Sequence, residues 1–301
     1  MGTDLLVTTS FSFLIVSLES GVSRVIHHGQ GLYYGITRSD PYIYVAARKR
    51  LVSSAIPFAH ERGEILVFNR NLTQVHTIVA PFPLRDMHQI LWHDNKLWIT
   101  CCYDNMVAIY DGQGWQRWFP LGEPQSESKD VNHFNTLSVF GDELCVVAHN
   151  NGPSELLFFS LPSLGLLRSI ALGNQAHNVW KYRSEWLSCS SGEGMIKGSE
   201  EFELITGGFP RGVAFTEKEI VIGVSEIAER KDRDFTTSEI LIFDYLWRPK
   251  RKIRLLQQGL LLDIQVFDRK ASSPEDSHLN LWTTGSFAPD AMVFPVEYFS
   301  T

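Results

Sequence analysis

The sequence predicts an all-β fold, a single β-propeller, on three observations. A polar or ring-bearing residue recurs five times, at Tyr34, His88, Asn135, His177 and Arg211, just ahead of a short strand-like run and about nine residues ahead of a second apolar run. The successive spacings of 54, 47, 42 and 34 residues fall around the length of a propeller blade. Between these positions, runs rich in Val, Ile, Leu, Phe, Trp and Tyr alternate with Gly, Asn, Asp and Ser turns, and no stretch carries sustained helical periodicity. Such a pattern excludes an alternating α/β chain.

Taken in order, the N-terminus supplies Asp4-Leu-Leu-Val-Thr-Thr9, Phe13-Leu-Ile-Val-Ser-Leu18 and Val22-Ser-Arg-Val-Ile26, three strands that lack an inner partner. The five repeats follow. They read Tyr34-Gly-Ile-Thr with Tyr42-Ile-Tyr-Val-Ala, His88-Gln-Ile-Leu-Trp with Leu97-Trp-Ile-Thr, Asn135-Thr-Leu-Ser-Val with Leu144-Cys-Val-Val-Ala, His177-Asn-Val-Trp-Lys with Trp186-Leu-Ser-Cys, and Arg211-Gly-Val-Ala-Phe with Ile220-Val-Ile-Gly-Val. A sixth inner strand is predicted at Leu261-Leu-Asp-Ile-Gln-Val-Phe267, with Asp263 at or next to the repeated position. Pairing it with the N-terminal strands closes the ring and removes the exposed sheet edges, giving six blades. The segment 268–301 is then left over, as an appended hairpin or part of a seventh blade within one domain spanning 1–301.

Composition fits this reading. The 301 residues are 44% hydrophobic and 20% charged, enough apolar material for a core in every blade. A net charge of −7 and the lack of a basic stripe argue against nucleic-acid binding. Phe11 to Leu18 is too short to span a membrane and reads as a strand, so no membrane association is expected. Cys101, Cys102, Cys145 and Cys189 show neither CxxC pairing nor framework spacing, which points to free thiols in a cytoplasmic protein.

Several segments carry a resemblance: Leu5-Leu-Val-Thr-Thr-Ser, Asp86-Met-His-Gln, Asn132-His-Phe-Asn, Ala176-His-Asn with Ser190-Ser-Gly-Glu-Gly, and above all Gly208-Phe-Pro-Arg-Gly-Val-Ala-Phe. In these the chain resembles a family of bacterial propeller proteins of unknown function, found in cyanobacteria and proteobacteria. The resemblance covers most of the chain up to about Phe267. It implies a propeller and supplies no reaction. Val179 stands where the family pattern usually has a proline.

In a four-stranded blade, the loop entering the inner strand and the loop between the second and third strands open on one face. The repeated residues therefore share a mouth with those that end the second strands: Arg48, Cys102 and Asp104, His149 and Asn150, Glu193, and Glu226 with Arg230. The long loops at 51–63, 120–131 and 226–238 fall there too, where binding segments usually lie. His88, His133 and His177 come from three consecutive repeats, and neutral imidazoles converging in this way suit a divalent transition ion (zinc, iron, manganese or copper). The competing account has each imidazole bonded to backbone carbonyls of the next blade. Arg211, between Pro210 and Gly212, presents a planar fork of donors for a carboxylate, sulfate or phosphate, or pairs with Asp263.

Two functions follow. In the first, the chain is an enzyme acting on a small anionic molecule in the funnel, with His88, His177, Arg211 and Glu226 as catalytic groups. Tyr34, Arg48, Asn135, His149, Asn150, Glu193, Arg230 and Asp263 then bind substrate, and lyase, hydrolase, isomerase and oxygenase chemistry all fit. In the second, the same face grips a peptide or partner protein without catalysis. No nucleophile elbow, P-loop or dinucleotide fingerprint is present.

Overall fold

The computed structural model describes residues 3–124 and 129–267. Six four-stranded antiparallel sheets form a six-bladed propeller. Blade 1 joins the C-terminal strand Leu261–Phe267 to Asp4–Thr9, Ser12–Ser17 and Ser23–His28. Blades 2 to 6 begin with the inner strands Tyr33–Arg38, Met87–His93, Phe134–Phe140, Ala176–Tyr182 and Phe209–Phe215, each followed by its own three further strands. The closure expected from the sequence is present: Asp4–Thr9 pairs antiparallel with Leu261–Phe267. The tail 268–301 lies outside the described residues.

The inner strands read as nearly continuous apolar runs because both of their faces are buried. Successive side chains point to opposite neighbours, so each blade feeds two cores. Leu5 and Val7 pack toward blade 6 with Val221, Ile240 and Ile242, whereas Leu6, Phe13 and Ile15 pack toward blade 2 with Ile43, Val45 and Phe68. The same alternation fills the other four interfaces, giving one apolar core between each pair of neighbours.

A shared irregularity positions the site. Every inner strand slips its pairing with the second strand at or beside the repeated residue: between Tyr33 and Ile36, Met87 and Ile90, Phe134 and Thr136, His177 and Val179, and Pro210 and Val213, and opposite Thr8 and Thr9 in the closing blade. A bulge frees backbone groups and re-aims a side chain, and here it turns the repeated residue toward the axis.

Amides on the free edge of each inner strand are taken by side chains of the preceding blade. Asp263 Oδ2 accepts from Ile36 N (2.8 Å), Thr37 Oγ1 from Trp92 N (2.8 Å), Gln89 Oε1 from Leu137 N (3.0 Å), Thr136 Oγ1 from Asn178 N (3.0 Å), and Asn178 Oδ1 from Gly212 N (2.8 Å). Ser225 Oγ accepts from Leu261 N (2.9 Å) and completes the circle. Buried backbone groups are thus satisfied while the ring is stitched.

Asp263 gives this circle a pH dependence. Burial raises its pKa to about 7, against the opposing pull of the Ile36 and Ile264 amides and the Arg211 charge. The folded chain therefore holds a proton that the unfolded chain releases near pH 4. Stability is expected to fall as pH rises from about 4 to about 7, because there the native state binds more protons than the unfolded state. Urea midpoints across that window check this, and in the Asp263→Asn variant the slope should flatten.

Candidate functional site in the arginine-lined mouth

The axis carries two mouths and a waist. Tyr34, His88, Asn135, His177, Arg211 and Asp263 line the waist, which leaves only about 10 Å³ of free space. On one side opens a cavity of about 310 Å³ and on the other one of about 320 Å³. The second is lined largely by apolar and neutral polar groups, with His93 and Asp263 as its ionisable residues. The first gathers the charged residues.

That cavity is lined by five arginines, Arg48, Arg50, Arg211, Arg230 and Arg233, against three carboxylates, Asp86, Asp130 and Glu226. Its rim is built from the loops at 51–63 and 226–238, tied together by buried Asp234, which accepts from Val52 N (3.2 Å) and Ser53 N (2.7 Å). Phe58 forms a platform on which guanidiniums gather, with Arg50 at 4.0 Å, Arg230 at 5.2 Å and Arg48 at 5.5 Å from its ring centre. Stacking of this kind suits the delocalised charge of arginine.

Arg48 is neutralised in place. Its Nε and Nη2 donate to Glu61 Oε1 and Oε2, both at 2.8 Å, and its Nη1 lies 2.5 Å from Asp86 Oδ1. Burial pulls its pKa down, but Asp86 and Glu61 outweigh that and hold it well above the usual arginine range. The other four have no carboxylate in comparable contact among the described residues. Arg50 Nη1 reaches only to 3.8 Å from Glu61, and the Nε atoms of Arg50 and Arg211 are buried without a hydrogen-bond partner. Burial and the charge of Arg48 push Arg50 down, and burial with Arg211 and Arg230 does the same to Arg233.

Beneath the arginines lies a ring of four imidazoles. Ring centres are 4.6 Å apart for His88–His133, 4.5 Å for His133–His149, 5.1 Å for His149–His177 and 6.3 Å for His88–His177. Burial holds His88 and His177 neutral well below the usual range and lowers His149 to about 2, in each case helped by neighbouring imidazole and Arg211 charge. Neutral buried imidazoles are suited to accepting hydrogen bonds or binding metal rather than carrying protons at neutral pH. An arriving anion opposes this depression.

Arg211 is oriented by this ring rather than by Asp263: its Nη2 meets His177 Nε2, and its Nη1 donates to Tyr34 Oη at 3.3 Å. His177 Nδ1 lies 2.9 Å from Ser191 Oγ, which donates to Pro210 O. His177 Nε2 is thus turned to a guanidinium, while Asp86 and Cys102 stand beside His88 and His133. Asp86, His88, Cys102 and His133 each bring one donor atom within 4.8 Å of the others and can hold a metal ion.

The remaining predicted residues are placed as follows. Asn135 Nδ2 donates to Ala176 O (2.8 Å), a blade-to-blade bond at the waist. Glu226 lines the mouth, with Oε2 accepting from Thr237 N (2.9 Å), and Arg230 lies over Phe58 rather than in an ion pair with it. Asn150 bonds Pro153 O (3.3 Å) beside the cavity, whose lining takes Asn151 instead. Glu193 is exposed and held by Ser190 and Lys197, away from the lining. Asp104 pairs with Arg85.

Glu61, Asp86, Asp130, Arg50, Arg233 and Phe58 escape the sequence reading. Phe58, Glu61, Asp130 and Arg233 lie in the long loops expected at the mouth and Asp86 stands two residues before His88, but nothing in the sequence singles out these side chains within them. Cys102, expected at the mouth from its place at the end of a second strand, has its Sγ 3.0 Å from His88 Nδ1. Burial nonetheless keeps that thiol well above its usual pKa.

No protein-family model and no curated protein matches the chain. Solved structures do. The chain is similar to a structure of a nidogen/laminin complex (12% identity, TM-score 0.63, covering 90% of this chain and 100% of that one). It is also similar to a protein of unknown function from Bacteroides caccae (12%, 0.62, 88% and 98%) and a functionally unknown protein from Desulfotomaculum acetoxidans (11%, 0.51, 88% and 88%). At these identities the likeness is one of fold, and it agrees with the propeller. Among the described residues no helix is long and apolar enough to cross a membrane, and all four cysteines are buried and free of disulfide bonds.

Proposed function

We propose that the chain is a cytoplasmic enzyme that binds a small anionic molecule in the arginine-lined mouth and acts on it over the imidazole ring. The observation that carries this is the convergence of Arg50, Arg211, Arg230 and Arg233 on one cavity with too few carboxylates to neutralise them. Leaving guanidinium atoms buried and unpaired is costly unless a ligand completes them. A cavity of about 310 Å³ suits a small molecule. Arg211 anchors the anion, His88 and His177 contact it at the floor, and Glu226 stands at the rim as a base. The sequence resemblance to bacterial propellers supports the same setting, as do the free thiols. A divalent transition ion (zinc, iron, manganese or copper) has donors on the same floor at Asp86, His88 and His133.

Calorimetric titration with phosphate, sulfate and small di- and tricarboxylates tests this. Binding should weaken with salt. Arg211→Met and Arg233→Met should each weaken it about 10- to 100-fold, the worth of a charged hydrogen bond of about 1.5–3 kcal/mol. Equal affinity in both variants, or no binding of any anion, overturns the proposal.

One observation favours the non-catalytic reading: Ile56, Ile227 and Phe235 on the rim loops are 51%, 77% and 69% exposed, apolar side chains where a capping peptide would sit. Under that reading Ile227→Asp and Phe235→Asp abolish partner capture, while anion binding is unchanged.

A further inference from the structure

Four donor groups at the floor of the mouth, Asp86, His88, Cys102 and His133, lie close enough together to share one cation. His133 Nδ1 lies 2.6 Å from Asp130 Oδ1, a carboxylate oxygen that accepts, so this nitrogen carries a hydrogen and the ring turns its Nε2 inward. His88 Nδ1 lies 3.1 Å from the carbonyl oxygen of Asp86, and Cys102 Sγ lies 3.0 Å from the carbonyl oxygen of Phe134. The Asp86 carbonyl also accepts from Cys102 N (3.1 Å), and Cys102 Sγ lies 3.0 Å from His88 Nδ1. On the other side of the His88 ring, its Nε2 lies 3.2 Å from His133 Nε2. The spacing is close to the edge of a tetrahedron of nitrogens about 2.0–2.1 Å from zinc.

We propose that His88 and His133, completed by the Asp86 carboxylate and the Cys102 sulfur, bind a single zinc-class divalent ion at the floor of the mouth. The donor set selects the metal: one thiolate with two imidazoles favours zinc over magnesium, calcium or manganese, which prefer all-oxygen shells. The flanking bonds are those of a prepared site. Asp130 orients His133 through the nitrogen that does not bind, and Arg48, clamped by Glu61, fixes the Asp86 carboxylate from behind. On binding, Cys102 gives up its thiol proton to solvent and the sulfur bonds the ion. Asp86, His88 and His133 also line the cavity, whereas Cys102 lies behind them, so the ion is open to the mouth on one side. This site goes beyond the anion-binding reading and does not depend on it.

The test uses the full chain without a histidine tag, stripped with chelator and titrated with Zn²⁺ and Co²⁺ in the absence of any anionic ligand. One equivalent is expected per chain, and the cobalt form should show a thiolate-to-cobalt charge-transfer band in the near ultraviolet. His88→Ala and His133→Ala should each lower affinity at least tenfold, Cys102→Ala should abolish the band, and the surface variant His76→Ala should change neither. A wild-type titration with no metal uptake at micromolar concentration overturns the site. A cobalt form without the thiolate band overturns the donor set, with no variant needed to read it.

Discussion

Replacing Arg48 with methionine is expected to destabilise the fold by about 3–5 kcal/mol, the cost of leaving buried charge without its partner. The side chains of Arg48, Glu61 and Asp86 are 4%, 0% and 5% exposed, so water cannot take over the lost contacts. Glu61 would lose both bonds of its fork and Asp86 its closest cation, while Glu61 would still have to accept from Asp86 N. For a domain whose total stability is on the order of 5–15 kcal/mol, such a loss brings unfolding within reach of physiological temperature. Adding Glu61→Gln to Arg48→Met should recover part of it, because one of the stranded charges is then gone. Urea unfolding of the two singles and the double variant checks this. A loss below about 1 kcal/mol in Arg48→Met would mean that the cluster does not carry the charge placed on it.

The second large effect is expected from Gly35→Ala. Gly35 follows Tyr34 in the bulge of the second blade, where an added Cβ would stand 2.5 Å from Ile90 N and 2.6 Å from Gln89 Cα of the next blade. These are backbone atoms in a paired strand, so no side-chain rotation relieves the clash. Overpacking of this kind costs about 1–3 kcal/mol, and here it also pries Tyr34 away from Arg211 and His88. Thermal unfolding should therefore shift downward and anion affinity should fall with it. Gly114→Ala is the control: nothing lies within 4 Å of its added Cβ, and it should leave both quantities unchanged.

The two effects differ in how legible they were. Tyr34 and Arg48 were readable as mouth residues, because their place relative to the strand-like runs repeats from blade to blade. Glu61 was not. It sits in a long loop without periodicity, and only the folding of that loop over the mouth brings its carboxylate to Arg48. Cys102 shows the same limit from the other side. It ended a second strand as expected, but the imidazole beside it comes from an inner strand 14 residues earlier, and the carbonyl on its other flank from the next blade. Glu193 shows the converse, since its turn falls at a second-strand end yet its carboxylate is spent on Ser190 and Lys197.

By itself the sequence determined the all-β class, the six inner strands, the closure of the ring by its two ends, and the identity of the residues that ring the waist. These follow from local patterns, namely alternation, turn residues and a repeated position, which the chain carries within a few residues of each point. Only the tertiary structure decided which of those residues meet. It turned Arg211 to His177 and Tyr34 instead of Asp263, gathered four histidines into one ring, and set Asp86 and Cys102 beside His88 and His133. Contacts of that kind depend on bulge direction and on loops crossing between blades, and hydrogen bonds over 3 Å discriminate between geometries that sequence spacing treats as equal.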